Sequence, residues 1–241
     1  MVKKLVHGIL RKFGYEVRRT HVVDPDEQRG FNSSYLSQIA QPKTVIDVGV
    51  GYGTEALYHA YPTAKFILVE PLTDYEDAIN RITSNLDCKV YYKALSNAEG
   101  TMEMIVDTEN LELSSFQTRT ALAESGNNLC KRQVEVTTLD SIIRDNRDIQ
   151  APILLKVDTE GHELEVLEGG KDVLRIVDTV IAEVSVARRF EGSYTFEEFI
   201  LFMKDHGFRV FDFLTVIHVG EELTPRYVDV VFKRESSLTS V

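Results

Sequence analysis

Cysteine is scarce in this chain of 241 residues: Cys88 and Cys130 are the only two, and they form no CxxC pattern. That excludes a disulfide framework and a zinc knuckle, and it fits a reducing cytoplasm. Basic residues are also in short supply, with 27 Lys and Arg against 38 Asp and Glu and a net charge of −11. Such a surface repels a phosphate backbone, so free DNA and RNA are not expected partners. No apolar run near the N-terminus reaches signal-peptide or membrane-spanning length, so the segment is expected neither to direct export nor to cross a bilayer. Internal repeats and low-complexity tracts are lacking too. What is present is 43% hydrophobic residues in a length that supports one sizeable core.

The chain divides into a basic N-terminal segment, residues 1–30, and one folded domain, residues 31–241. Lys3, Lys4, Arg11, Lys12, Arg18 and Arg19 face only Glu16 in the first 20 residues, a net +5 that leaves −16 for the rest. Val2, Leu5, Val6, Ile9, Leu10 and Phe13 recur at helical spacing, which describes an amphipathic helix. Its apolar face has two uses: packing on the domain or on a second subunit of a homo-oligomer, or peripheral contact with an anionic membrane surface. The second use would place the protein at the inner face of the membrane.

From Thr44 onward, strand-like runs alternate with helical ones. Strands are expected at 44–49, 65–70, 88–95, 152–158 and 177–184, with helices near 54–61, 74–85, 138–145 and 163–169. Alternation of this kind predicts a parallel sheet covered by helices. Thr195 and Glu198 form a capping-box pattern ahead of a helix that His206-Gly207 stops. Two β-rich runs, 208–217 and 226–233, then suit an antiparallel terminal pair. Residues 96–131 look irregular, with TMEMIVD as an extra strand and a long loop, a candidate lid or acceptor-binding element.

The turn after the first strand carries Gly49, Gly51 and Gly53, which permit tight bending and close approach of a ligand to the main chain. Asp47 precedes it, and Glu70 closes the next strand, where a carboxylate can accept hydrogen bonds from both hydroxyls of a ribose. The spacing suits any adenosine cofactor. A dinucleotide fingerprint would need glycine at position 54, where Thr54 stands. Asp47 and Glu55 also place negative charge where a pyrophosphate would bind, which favours a cofactor bearing a sulfonium and an ammonium.

A second constellation follows in ILLKVDTEGHELEVLEGG, which delivers Asp158, Glu160, His162 and Glu163 directly after an apolar strand. Lys156, Asp158 and Glu160 share a face by strand alternation, and Glu183 ends the next strand. Glu160 and Glu163 also read as acids at a helix start. An acid such as Asp158, at the end of a buried strand, must be paired, exposed to a cleft or functional.

LLKVDTEGHELEVLEGG resembles the FkbM-type methyltransferases, whose segment runs lysine, apolar residue, Asp, any residue, Glu-Gly, any residue, Glu, then leucines and Gly. Similarity extends to VIDVGVGYG, ALSNAEGTMEM, the triplet Ser114 to Phe116, VEVTTLDSII, TFEEFILFMKDHGFRVF and YVDVVFKR. The resemblance covers about residues 43–234. It implies an α/β class I methyltransferase (Rossmann-like) fold: a mostly parallel seven-stranded sheet with an antiparallel terminal strand and helices on both faces. It implies S-adenosylmethionine as methyl donor, and often an oxygen acceptor in polyketide, saccharide or glycolipid chemistry. Val50 and Tyr52 stand where many members have small or polar residues. By position, Asp47, Gly49, Gly51 and Gly53 should line the methionine part of the cofactor, Glu70 followed by Pro71 the ribose, and Ala94, Leu95 and Ser96 the adenine. The acceptor should sit near Asp158 and Glu160; His162 falls where the family varies.

Methyl transfer to oxygen needs the acceptor about 3 Å from the methyl carbon and a base to take its proton. Asp158 is the first choice of base and His162 the second, with Glu160 beside them, though His162 also reads as a helix-start residue turned to solvent. A divalent metal on Asp158 and Glu183 suits carboxylate chemistry, but no dense acidic triplet is apparent and no metal is assigned. Two other readings are an NAD-dependent reductase or epimerase and a non-catalytic cofactor-binding scaffold. The reductase would need a Tyr-x-x-x-Lys dyad, which Tyr91, Tyr194 and Tyr227 do not supply.

Overall fold

The computed structural model describes residues 29–121, 123, 128–218 and 224–238. The basic amphipathic segment expected over residues 1–20 lies outside the described residues. The seven-stranded sheet is built from β1 (Thr44–Val48), β2 (Lys65–Val69), β3 (Asp87–Tyr91), β7 (Ile153–Val157), β8 (Thr179–Ser185), β9 (Phe208–His218) and β10 (Pro225–Arg234). Their order is β3-β2-β1-β7-β8-β10-β9. The first five pair in parallel, and β10 runs antiparallel between β8 and β9.

Every residue of β1, β7 and β8 is buried, as expected of strands covered on both faces. Alternation sorts their side chains into two cores. Val45, Leu154, Ile181 and Val231 lie in the core beneath α1 (Ser33–Ile39), α2 (Glu55–Ala60) and α3 (Glu76–Thr83). Ile46, Leu155, Val180 and Val230 lie in the other, against α4 (Leu139–Arg144), α5 (Glu163–Glu168) and α6 (Phe196–Asp205). α6 begins at the anticipated capping box: the Thr195 hydroxyl accepts from the Glu198 amide at 3.3 Å, and the Glu198 carboxylate accepts from the Thr195 amide at 2.7 Å. A last short helix, α7 (Glu235–Leu238), follows β10.

The sequence and the structure part company after β3. The single strand expected over 88–95 breaks at Tyr92-Lys93, and its end becomes β4 (Ala94–Leu95) in a separate sheet of order β4-β6-β5. TMEMIVD falls within β5 (Gly100–Asp107) as expected, and β6 (Leu129–Thr137) pairs with it antiparallel over its whole length. β6 hid in the sequence because LCKRQVEVT is exposed along much of its length, leaving little apolar signal. The irregular region is therefore a long hairpin, and residues 115–120 between its strands bond to Glu160 after β7 and to Arg189 after β8.

Candidate active site

Gly49 and Gly53 answer first to the protein itself. A Cβ at Gly49 would stand 1.7 Å from the Asp158 carbonyl oxygen, and one at Gly53 would stand 2.2 Å from Ile82 Cδ1. Gly51 differs: φ is +52°, and a Cβ there would meet nothing nearer than 3.9 Å. Its N–H donates to Glu70 Oε2 at 2.9 Å, and the Leu72 N–H donates to Oε1 at 2.9 Å. A carboxylate has about four lone-pair positions, so Glu70 keeps acceptor capacity for two ribose hydroxyls. Burial pushes its pKa up to about 6 against the pull of those amides.

A cavity of about 570 Å³ opens here, lined along one half by the glycine turn, Glu70, Pro71, Ala94, Leu95 and Phe116. Its size lies in the range of small-molecule sites. Asp47 is not in the wall. It is fully buried behind the turn, accepting from the Tyr58 hydroxyl at 3.0 Å and lying 3.4 Å from Lys156 Nζ. Lys156 also donates to the Gly49 carbonyl at 2.8 Å and stands 3.4 Å from Asp158 Oδ2. Burial alone would lower its pKa, and the Asp47 and Asp158 carboxylates more than reverse this. One ammonium thus ties the glycine turn to the turn after β7.

Ser96 also sits behind the wall, where its hydroxyl meets His162 Nε2 at 3.0 Å. His162 itself is 3% exposed, with its ring 4.9 Å from Phe116. The solvent-facing alternative for His162 is thereby corrected: Gly161, at φ +94°, turns the chain so that the imidazole packs inward. Burial pushes its pKa down to about 4, so it is neutral near pH 7 and a weak base. Its other nitrogen, Nδ1, stands 3.7 Å from Glu165 Oε2.

The other half of the cavity holds those carboxylates. Asp158, Glu160 and Glu183 bring oxygens within 4.8 Å of one another, a triplet that the sequence did not disclose. Two of the three already carry guanidinium bonds. Glu160 Oε2 accepts from Arg189 at 2.6 Å and from Arg119 at 3.1 Å, and Glu183 Oε1 accepts from Arg189 at 2.5 Å. A cation there would share two of its ligands with the positive charge of Arg189, which opposes it. Burial, against both arginines, still holds Glu160 at about 7, and burial with the charges of Asp158 and Glu160 raises Glu183 well above the usual range. Glu160 occupies φ +52°, a costly conformation for a non-glycine residue. Ser115 helps fix it by donating to the Glu160 carbonyl at 2.6 Å, and Glu163 accepts from the Thr159 and Gly161 amides at 2.8 and 3.0 Å. Asp158 is left as the member of the triplet that lines the cavity without a guanidinium bond.

Sequence reasoning missed Arg119, Arg189, Thr215, Tyr227 and Asp229. Asp229 carried a usable signal: like Asp158, it is an acid inside an otherwise apolar strand, YVDVVF. The arginines carried none, because only the fold of the segment around Arg119 and of the segment after β8 brings them to Glu160.

A mostly parallel seven-stranded sheet with a ligand cavity at the carboxyl ends of β1 and β2, and an acid closing β2, defines the class I methyltransferase fold. The family described as Methyltransferase FkbM domain matches residues 47–210, more than half of the chain, and the chain belongs to that family. Its cofactor is S-adenosylmethionine, for which Glu70, the open Gly51 and the apolar Leu95 and Phe116 are suitable partners. Among solved structures, the chain is similar to the methyltransferase FkbM of Methylobacillus flagellatus KT, at 15% identity and TM-score 0.49. That match covers 86% of this chain and 48% of the other, so the chain spans about half the length of that protein. It is also similar to magnesium protoporphyrin IX methyltransferase from Synechocystis PCC 6803, at 11% identity and TM-score 0.44, with 96% of each chain covered. The TehB-like methyltransferase of Corynebacterium glutamicum matches at 9% identity and TM-score 0.44, again over 96% of each chain. No curated protein matches at the sequence level.

Proposed function

We propose that the chain methylates a hydroxyl group on a saccharide, glycolipid or other small metabolite, with Asp158 as the base. The observation that carries this reading is the place of Asp158. Its backbone closes on Gly49 at the donor turn, and its carboxylate lines the acceptor half of the cavity. S-adenosylmethionine supplies an electrophilic methyl group on a cationic sulfur. The chain's own contribution is to hold the acceptor oxygen in line with that sulfur and to accept its proton. Asp158 is suited to the second task because it has no guanidinium bond, whereas Glu160 and Glu183 are held by Arg189. Lys156 stands 3.4 Å from Asp158 Oδ2 and, already protonated, cannot itself receive a proton.

The test is transfer of a tritiated methyl group to a panel of hydroxylated saccharides and glycolipids, with Asp158→Asn as the variant. Transfer is expected to fall by about 10²–10⁴-fold, the usual contribution of a positioned base, with donor affinity retained. Unaltered transfer by Asp158→Asn defeats the assignment of the base. No described helix is long and apolar enough to cross a membrane. Peripheral membrane contact through residues 1–20, at the cytoplasmic face, belongs to the same proposal. Liposome flotation that is equal with and without those residues defeats it.

A further inference from the structure

The acceptor half of the cavity has a far wall made by the β9–β10 hairpin. Strand register sets a polar row across the carboxyl end of the sheet: Asp47 opposite Lys156, Glu183 opposite Asp229, and Asp229 opposite Thr215. Asp229, Thr215 and Tyr227 all line the cavity. Thr215 hydrogen-bonds the Asp229 carboxylate. The Tyr227 ring is held against the Arg189 guanidinium, 4.5 Å from its centroid, so the wall is fixed by the same arginine that holds Glu160 and Glu183.

The charges around this wall are unbalanced. Among the described residues lining the cavity, the lysines are Lys93 and Lys156. Lys93 is 2.5 Å from Glu135, and Lys156 is shared between Asp47 and Asp158. Arg189 bonds Glu160 and Glu183; its Nε and Arg119 Nη1 are buried and unpaired, but neither arginine is among the residues lining the cavity. Burial raises the Asp229 carboxyl to about 6, the negative charge of Asp158 adds to this, and the Thr215 hydroxyl and the charge of Lys156 oppose it without cancelling it. A phosphate or carboxylate on the acceptor would find no uncommitted cation among the described residues lining the cavity, and a desolvated like-charge contact is strongly unfavourable. An ammonium beside the reacting hydroxyl would relieve the imbalance.

We propose that Asp229 selects the acceptor, and that it selects an amine-bearing polyol, an amino sugar in the simplest case, over a phosphorylated or carboxylated one. The hydroxyl that is methylated lies at Asp158, and the ammonium donates to Asp229. The proposal rests on the hydroxyl-methylation reading for the role of Asp158. Asp229 is a specificity-determining residue, since it touches the acceptor and leaves the proton transfer to Asp158.

The experiment is carboxylate NMR on the full chain, labelled with ¹³C at aspartate and saturated with S-adenosylhomocysteine. The probes are glucosamine, methyl glucoside and glucose 6-phosphate, and Asp229→Asn supplies the assignment. Glucosamine is expected to move the Asp229 resonance saturably and to bind about tenfold more tightly than methyl glucoside, the worth of one charge-assisted hydrogen bond. Glucose 6-phosphate should leave the resonance in place. Asp229→Asn should abolish the preference while holding S-adenosylhomocysteine within about twofold of the wild type. An equal response to glucose 6-phosphate or methyl glucoside, no saturable response to any probe, or a preference that survives Asp229→Asn overturns the proposal. Calorimetry with S-adenosylmethionine separates the two readings. A chain that binds no donor yet distinguishes glucosamine through Asp229 defeats only the methyltransfer reading, and the converse result defeats only this one.

Discussion

Gly49 and Asp158 meet backbone to backbone: the Cβ that Gly49 lacks would sit 1.7 Å from the Asp158 carbonyl oxygen. The Asp158 N–H donates to the Val48 carbonyl at 3.1 Å, so the two turns are held in register where donor and acceptor must meet. Gly49→Ala is expected to separate them, destabilising the domain by about 3 kcal/mol through overpacking and a positive φ. For a chain of this size that lowers Tm by roughly 6–12 °C. Gly51→Ala adds a Cβ in open space and carries only the conformational cost of about 1–2 kcal/mol. Thermal unfolding of both variants checks the order, and equal losses would show that the Gly49 contact is relaxed.

Lys156→Met should be more damaging than its conservative volume suggests. It leaves Asp47 buried without a cation, with Tyr58 as its remaining partner. Removing one member of a buried pair typically destabilises by about 3–5 kcal/mol. Urea unfolding measures this. S-adenosylmethionine affinity should fall as well, because the Gly49 carbonyl loses its 2.8 Å bond to the ammonium.

The parallel sheet was legible because β1, β7 and β8 are buried on both faces and therefore read as unbroken apolar runs. β6 was not, since its side chains alternate toward solvent and carry Lys131, Arg132 and Glu135. At the site, Glu70 and Asp158 were legible as acids ending apolar strands. Asp47 was placed in the cavity wall but lies behind it, because sequence puts a residue near a turn without saying whether ligand or neighbouring side chains fill the space beside it. The pairing of Glu160 with Arg119 and Arg189 joins residues 41 and 29 positions apart, and no local pattern encodes it.

Arg189 bridges Glu160 and Glu183, so Arg189→Met leaves buried Glu183 without a cation and Glu160 with Arg119 alone. Because their pKa values are already raised, both are expected to take up protons rather than remain ionised. The variant should therefore be less stable than the wild type at pH 8 and recover part of the difference at pH 6. Urea midpoints at the two pH values test this, and a loss that does not vary with pH would mean that the carboxylates find other partners.

Glu70 makes the pH dependence of donor binding specific. Its folded pKa, about 6, lies above the ordinary value of 4.5. Between those values the native protein binds more protons than the unfolded chain, so this group's contribution makes the ligand-free protein more stable as pH falls from 7 toward 5. Donor binding runs the other way. Ribose hydroxyls donate to the ionised carboxylate, so affinity for S-adenosylmethionine should be full above pH 7 and decline as pH falls through 6. Glu70→Gln should weaken binding by about tenfold, the worth of a charged hydrogen bond, and remove the decline. Calorimetric titration from pH 5 to 8 reads both effects. A wild-type affinity that is flat across that range would place the ribose away from Glu70.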